Sequence, residues 1–468
     1  MTASSIPLAP PTAPEWDLSD LYADIHDLRI ASDLDGAAHQ ADSFRRAWQG
    51  RLTDASPDAL AEAIHVYEGI SQRLSRVASY AQLIHAADVE NPDYGRFYQD
   101  ILERTADIER DLLFFGLELN RLDDATLAKA LAASPALRRY QPWLDQVRAF
   151  RPHQLDDKLE ELLHDKDVTG KSAWVRLFDQ TMAALRFPYQ GQELTETELL
   201  HILSTSKDET ARREAALTFG RVLKDNERLF ALITNTLAKD KATEDRWRNF
   251  SQPVHARNLA NQIENEAVEA LASTVRAAYP RLSHRYYALK AKWLGKTALN
   301  FWDRNAPLPE QDDRVASWDE AKAIVLGAYG RFSPELAQVG ERFFNARWID
   351  AAVRPGKDSG AFSHPVTPDT HPYILMNYQG KTRDIMTLAH ELGHGVHQVL
   401  AAKQGYLLSH TPLTLAETAS VFGEMLTFQA LLAQTTDPRR RKVMLAGKVE
   451  DMLNTVVRQI AFHHFETR

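Results

Sequence analysis

Three histidines and a glutamate fall within eight positions of the segment TLAHELGHGVHQ (387–398), in a chain of 468 residues with only 17 histidines. His390-Glu391-Leu392-Gly393-His394 spaces two imidazoles at i and i+4. On an α-helix these project from one face, close enough to share one ion. With His390 at zero on a helical wheel, His394 lies at about 40° and His397 at about −20°. Ile385, Leu388, Leu392, Val396 and Val399 gather on the opposite side, so the helix predicts a packed face and a histidine face. A catalytic zinc site takes three protein ligands and keeps a fourth position for water. The third ligand is expected from the next helix, in TPLTLAETASVFGEML, where Glu417 lies 23 residues beyond His394. Glu417, Ser420, Glu424 and Thr427 form a polar stripe there, with Leu415, Ala419, Phe422 and Leu426 opposite. Buried carboxylates are costly unless paired or metal-bound. Glu417 is therefore read as a ligand and Glu424 as an acceptor for a ligand histidine N–H; His397 is read as an ordinary hydrogen-bonded histidine.

The chemistry follows from these parts. One zinc ion per chain would acidify water from a pKa of about 15.7 toward 7 and polarise a carbonyl. Glu391, beside a ligand but not one itself, could take the proton and return it to a leaving amine. Amide hydrolysis is the expected reaction.

Composition supports this reading by exclusion. No cysteine is present, which rules out disulfides, thiolate catalysis and sulfur-ligated zinc, and fits a cytoplasmic setting. The formal charge of −9 comes without a long basic block, so no nucleic-acid partner is expected. No apolar stretch is long enough to span a membrane. The N-terminus lacks the basic start and apolar run of a signal peptide, and its prolines (Pro7, Pro10, Pro11, Pro14) predict a flexible tail over residues 1–14. The basic run Arg439–Lys442 reads as a solvated helix start.

To hold such a site, most of the chain reads as helix: 56–88, 93–119, 125–150, 155–182, 195–241, 264–294, 315–345, 382–403, 412–434 and 438–466. Ser56-Pro57, Thr411-Pro412 and Asp437-Pro438 supply start signals. Strand-like pieces are few: 372–378 (PYILMNY), 186–189 and 299–302. The Gly/Pro-rich stretch 354–372 reads as a long functional loop. Breaks are expected near 120 and 190. The fold class is mainly α, with a small β-sheet beside the zinc site.

TLAHELGHGVHQ followed by LAETASVFGEML resembles the oligoendopeptidase F and thimet oligopeptidase family of zinc metallopeptidases, and is closer to oligoendopeptidase F. EWDLSDLY, SPALRRYQPWLDQVRAFRPHQLDDKLEELL, FWDRNAPLP, RPGKDSGAFSHP, HPYILMNYQGKTRDIMTLAHELGH and RQIAFHHFE keep the family's order along nearly the whole chain. The resemblance implies a large helical peptidase body with a substrate channel for unstructured oligopeptides. It implies an N-terminal helical region (15–120), an oligoendopeptidase F-type helical module (121–190) and a catalytic domain (191–468). It matches His390, His394 and Glu417 to the zinc ligands and Glu391 to the general base. It also matches Gly360 and Ala361, in DSGAF, to a loop beside the site, and 372–378, with Asn377, to a strand that pairs with the peptide backbone. In that family the chain continues past RQIAFHHFE with a segment that binds substrate and the oxyanion. The expected form here is C-terminally incomplete, hydrolyses peptides poorly and exposes Ile460, Phe462 and Phe465. Two other readings remain: a catalytically weak or inactive peptide-binding protein with the same fold, and a zinc carboxypeptidase.

Overall fold

The computed structural model describes residues 13–309 and 315–468; most of the expected N-terminal tail lies outside them. The chain forms two compact units. One takes the residues up to Asp157 together with those from 315 to Gln434, and the other takes Lys158 to 309 with Thr435–Arg468.

The first unit opens with an extended segment at 14–17. Its backbone bonds to Arg347, Ala351 and Ala352, while Trp16, Leu21 and Tyr22 of EWDLSDLY are buried. Helices α1 (Leu28–Trp48), α2 (Pro57–Ala87) and α3 (Pro92–Arg110) follow. α1 lies outside the expected helices, although Asp27 caps its start and Ile30, Leu34, Ala37, Ala41 and Phe44 form a buried stripe at helical spacing. Gly36 and the two alanines in that stripe weaken the pattern. Farther along lie α4 (Trp318–Phe332), α5 (Pro334–Asn345), α6 (Thr382–Ala401) and α7 (Leu413–Gln434). The long helix expected over 315–345 is divided at Ser333-Pro334. Ser333 Oγ caps α5 by accepting from the Leu336 N–H at 3.4 Å, and the proline cannot continue α4.

Between α5 and α6 runs a three-stranded sheet of β1 (Ile349–Asp350), β2 (Phe362–His364) and β3 (Tyr373–Leu375), in the order β1-β3-β2. β3 is parallel to β1 and antiparallel to β2. Tyr373, Ile374 and Leu375 are fully buried, consistent with an apolar run rather than an alternating one. The following Tyr378 donates its hydroxyl to Ala316 O at 2.9 Å. Gly380, at φ +84°, then turns the chain into α6, where a side chain would collide with Val315 and Ala316. Asp384 Oδ2 accepts from the Gln379 and Lys381 amides at 2.8 and 3.0 Å, satisfying donors at the start of α6.

In the second unit the strand expected at 186–189 is Phe187–Tyr189, hairpinned to Gln192–Leu194 through Gln190-Gly191, both at positive φ. The strand expected at 299–302 is instead a 3₁₀ turn, Phe301–Asp303. Buried Asp303 draws the turn closed by accepting from the Asn300 amide at 3.0 Å while pairing with Arg212 and Lys296. The last helices, Pro438–Leu453 and Gln459–Glu466, are joined by a π turn at Asn454–Arg458.

Candidate metal centre

α6 folds as its periodicity demands. Ile385, Leu388, Leu392 and Val396 are at most 3% exposed, and His390 and His394 stand on the other side with ring centroids 5.0 Å apart. Glu417 on α7 meets them: its Oε2 lies 3.2 Å from His390 Nε2 and 3.5 Å from His394 Nε2. One ligand atom from each of the three lies within 4.8 Å of the others. Ser420 Oγ donates to the same Glu417 oxygen at 2.6 Å and fixes its direction. On the far side of His390, Nδ1 lies 3.3 Å from Glu424 Oε2, which leaves Nε2 turned toward Glu417.

The helix crossing depends on residues that the metal pattern alone leaves out. A Cβ on Gly393 would stand 2.7 Å from Ala419 O and 2.9 Å from Ser420 Cα, and one on Gly423 would stand 3.0 Å from Ala389 O. Glycine at these points lets the two backbones approach until Glu417 reaches both histidines. Tyr329 of α4, fully buried, donates its hydroxyl to Ala389 O at 2.6 Å. Of the α7 polar stripe, Ser420 and Thr427 are fully buried and the Glu424 side chain is 14% exposed, whereas Leu415 and Phe422 opposite are exposed. The Glu417 side chain is 59% exposed, which corrects the expected burial of that carboxylate. The Thr427 hydroxyl donates to Gly423 O at 3.1 Å and the Ser420 hydroxyl to the Glu417 carboxylate, so small polar residues fill the close crossing without an unpaired donor. Gly393 carried a readable signal, since a helix-interior glycine costs about 1 kcal/mol against alanine and calls for a packing reason. Tyr329, 61 positions before His390, carried none.

The loop between α6 and α7 is braced from the N-terminal helices. Buried Glu68 of α2 accepts from the Leu407 amide at 3.1 Å and from Tyr140 Oη at 2.8 Å, and Arg139 donates to Gln404 O at 3.2 Å. Arg139 and Tyr140 belong to SPALRRYQPW, which accounts for part of that motif in physical terms.

The electrostatics call for a cation. Burial works against charge on His390, yet the carboxylates of Glu417 and Glu424 overcome it and hold the imidazolium up to about 10. Glu417 is correspondingly driven well below the usual carboxylate range by the hydrogen bonds from His390 and His394. The carboxylates that raise His390 would equally attract a divalent ion, and two neutral imidazoles with one carboxylate are a donor set zinc favours. Glu391, 7% exposed, is raised by burial and has no hydrogen-bond partner among the described residues. A carboxyl so placed is ready to move a proton. His397 lies outside the three-residue cluster, and burial lowers its pKa.

The loop 354–361 is tied down rather than free. Lys357 is buried against Asp350 and donates to Ala352 O at 2.8 Å and Met376 O at 2.6 Å. Arg354 makes two bonds of 2.8 Å to the same carboxylate. Asn377 Nδ2 donates to Asp358 O at 2.9 Å and Gly360 O at 3.3 Å, and Asp358 Oδ1 accepts from the Gly360 amide at 2.9 Å. Asn377 thus braces the loop, while Gly360 and Ala361 lie exposed at its end. One expectation is corrected. The 372–378 strand cannot pair with a peptide, because β3 is central and hydrogen-bonded on both sides. The outer strands are β1 and β2, and the N-terminal segment 14–17 already bonds to Arg347, Ala351 and Ala352 on either side of β1.

Among the described residues no helix is long and apolar enough to cross a membrane. Phe462 and Phe465 are 45% and 78% exposed. Two family descriptions match the chain: peptidase family M3 over residues 332–468, and oligopeptidase F over 118–187. The group B oligopeptidase PepB of Streptococcus agalactiae is 29% identical over 463 residues, 97% of this chain and 75% of that protein. The oligopeptidase PepF of Bacillus subtilis is 27% identical over 435 residues, 90% of this chain and 63% of that protein. The crystal structure of oligoendopeptidase-F from Enterococcus faecium superposes with a TM-score of 0.65 at 22% identity, over 94% of this chain and 72% of that one, which speaks for the fold.

Proposed function

We propose that this chain, whose residues 332–468 match peptidase family M3 and 118–187 match oligopeptidase F, is a member of that family and a zinc-dependent endopeptidase that cuts internal bonds of short, unstructured oligopeptides in the cytoplasm. The observation that carries this reading is the convergence of His390, His394 and Glu417 beside a buried, unpartnered carboxyl at Glu391. His390 and His394 through Nε2, and Glu417 through Oε2, would hold the ion. Zinc bound there supplies Lewis acidity, lowering the pKa of water and polarising a scissile carbonyl. Glu391 takes the proton of the attacking water and delivers it to the departing amine; its pKa, raised by burial, suits both transfers. Glu424 fixes the His390 ring and its tautomer. The exposed Gly360-Ala361 end of the β2 edge offers backbone groups to an extended peptide.

The test is Glu391→Gln in the zinc-loaded chain, with products of defined oligopeptides followed by mass spectrometry. Hydrolysis should fall by at least about 100-fold while zinc content and peptide binding persist. Retention of hydrolysis would remove Glu391 from its role. Release of single C-terminal residues by the wild type would make it a carboxypeptidase, and zinc and peptide uptake without cleavage would make it a binding protein.

A further inference from the structure

We infer that Gln398 is a positioning residue that fixes the register in which an extended peptide pairs with β2; this rests on the metallopeptidase reading. Gln398 lies one turn beyond His394 on the same side of α6. It uses both ends of its amide on one residue of the outer strand: Nε2 donates to Ser363 O at 3.0 Å, and Oε1 accepts from Ser363 Oγ at 2.8 Å. The direction of that carbonyl follows from the sheet. The Ile374 and Met376 amides of the β3 segment bond to Trp348 O and Asp350 O at 2.9 and 2.8 Å, so Tyr373 and Leu375 face β2. Ser363 lies opposite Ile374, and its N–H and C=O therefore point away from β3, along the free edge. Ala361, two residues earlier, repeats that orientation and is exposed.

The free edge of β2 would otherwise offer two successive pairing positions, Ala361 and Ser363. Gln398 occupies the carbonyl of the second. An incoming strand can then form its full pair of backbone bonds only at Ala361. The clip originates on the helix that carries His390 and His394, so the same element that would hold the metal also sets which peptide bond is presented to it. Without the clip, a peptide could slip by one pairing position, and the side-chain period of a strand makes that slip two residues.

The experiment maps the products of the zinc-loaded wild type, Gln398→Leu, Gln398→Glu and Ser363→Ala on one set of oligopeptides, with zinc content measured for each. Peptide affinity is measured in parallel in the Glu391→Gln background. Both Gln398 variants should add cleavage sites two residues from the wild-type site at unchanged zinc content, with peptide binding no weaker than in the wild type, because the Ser363 carbonyl is released to the incoming strand. Ser363→Ala keeps the carbonyl contact and should keep the wild-type product pattern. Gln398→Glu retains the acceptor for Ser363 Oγ and serves if the leucine variant does not fold. Product patterns that are unmoved in all variants, or moved equally in Ser363→Ala, would overturn the inference while leaving the peptidase reading intact. A zinc-loaded wild type that cleaves nothing would overturn both.

Discussion

Gly393 and Ser420 bring α6 and α7 into backbone contact: a Cβ on Gly393 would lie 2.9 Å from Ser420 Cα and 2.7 Å from Ala419 O. Ser420 also holds the Glu417 carboxylate at 2.6 Å, so the depth of this crossing sets how far Glu417 reaches toward His390 and His394. Gly393→Ala should gain helix propensity yet destabilise by about 1–3 kcal/mol through overpacking. Because backbone rather than a flexible side chain must yield, the larger effect should fall on the metal. Zinc affinity, measured by chelator competition, should drop at least about 10-fold. An unchanged affinity would show that the helices separate without moving Glu417.

What the sequence discloses about this site is its local part. The i, i+4 spacing of His390 and His394 and the apolar face of α6 are properties of one helix, and both can be read from a dozen residues. The Glu417 position follows from chain length and a second periodicity. Contacts that arise only when distant segments meet leave no such trace: Tyr329 on Ala389, Glu68 under the Leu407 loop, and Gln398 on Ser363. The same limit accounts for the mistaken peptide-pairing strand. An apolar PYILMNY run announces a buried strand, but whether it is central or outermost depends on β1 and β2, which are two and three residues long. Helix breaks such as Ser333-Pro334 were in principle readable from their caps. The strand expected at 299–302 failed because Asp303 capture of the Asn300 amide outweighs the β propensity of Phe301 and Trp302.

Glu424 is 3.3 Å from His390 Nδ1, and its carboxylate is one reason that ring attracts positive charge. Glu424→Ala should leave His390 free to rotate and less basic toward a metal. Zinc affinity is expected to fall about 10–100-fold, with little change in thermal stability of the metal-free chain. Competition titration alongside a melting curve separates the two effects; a large stability loss with normal zinc affinity would make Glu424 structural only.

Lys357 and Asp350 are both fully buried at the side chain, and the ammonium also ties Ala352 and Met376 to the loop carrying Gly360 and Ala361. Lys357→Met removes the cation but leaves Arg354 on Asp350, so the carboxylate is weakened rather than orphaned. A destabilisation of about 2–4 kcal/mol is expected, toward the lower side of a broken buried pair. Limited proteolysis should also find new cuts within 354–361. A variant as resistant as the wild type would mean that Asn377 alone suffices to order the loop.

His364 on β2 gives the fold an acid-sensitive element outside the proposed ligands. Burial, with a smaller contribution from His410, lowers its pKa to about 4, and its Nδ1 accepts from the Val366 amide at 3.1 Å where Val366 adopts φ +58°. The unfolded chain protonates this ring near pH 6.5 and the folded chain only near pH 4. Between these values the unfolded state binds more protons, so stability is complete above about pH 6.5 and declines as pH falls toward 4. The full swing is at most about 3 kcal/mol. His364→Asn can keep an acceptor for the Val366 amide and does not titrate. Its melting temperature should therefore fall less than that of the wild type between pH 7 and pH 5. Parallel profiles would place the acid sensitivity elsewhere.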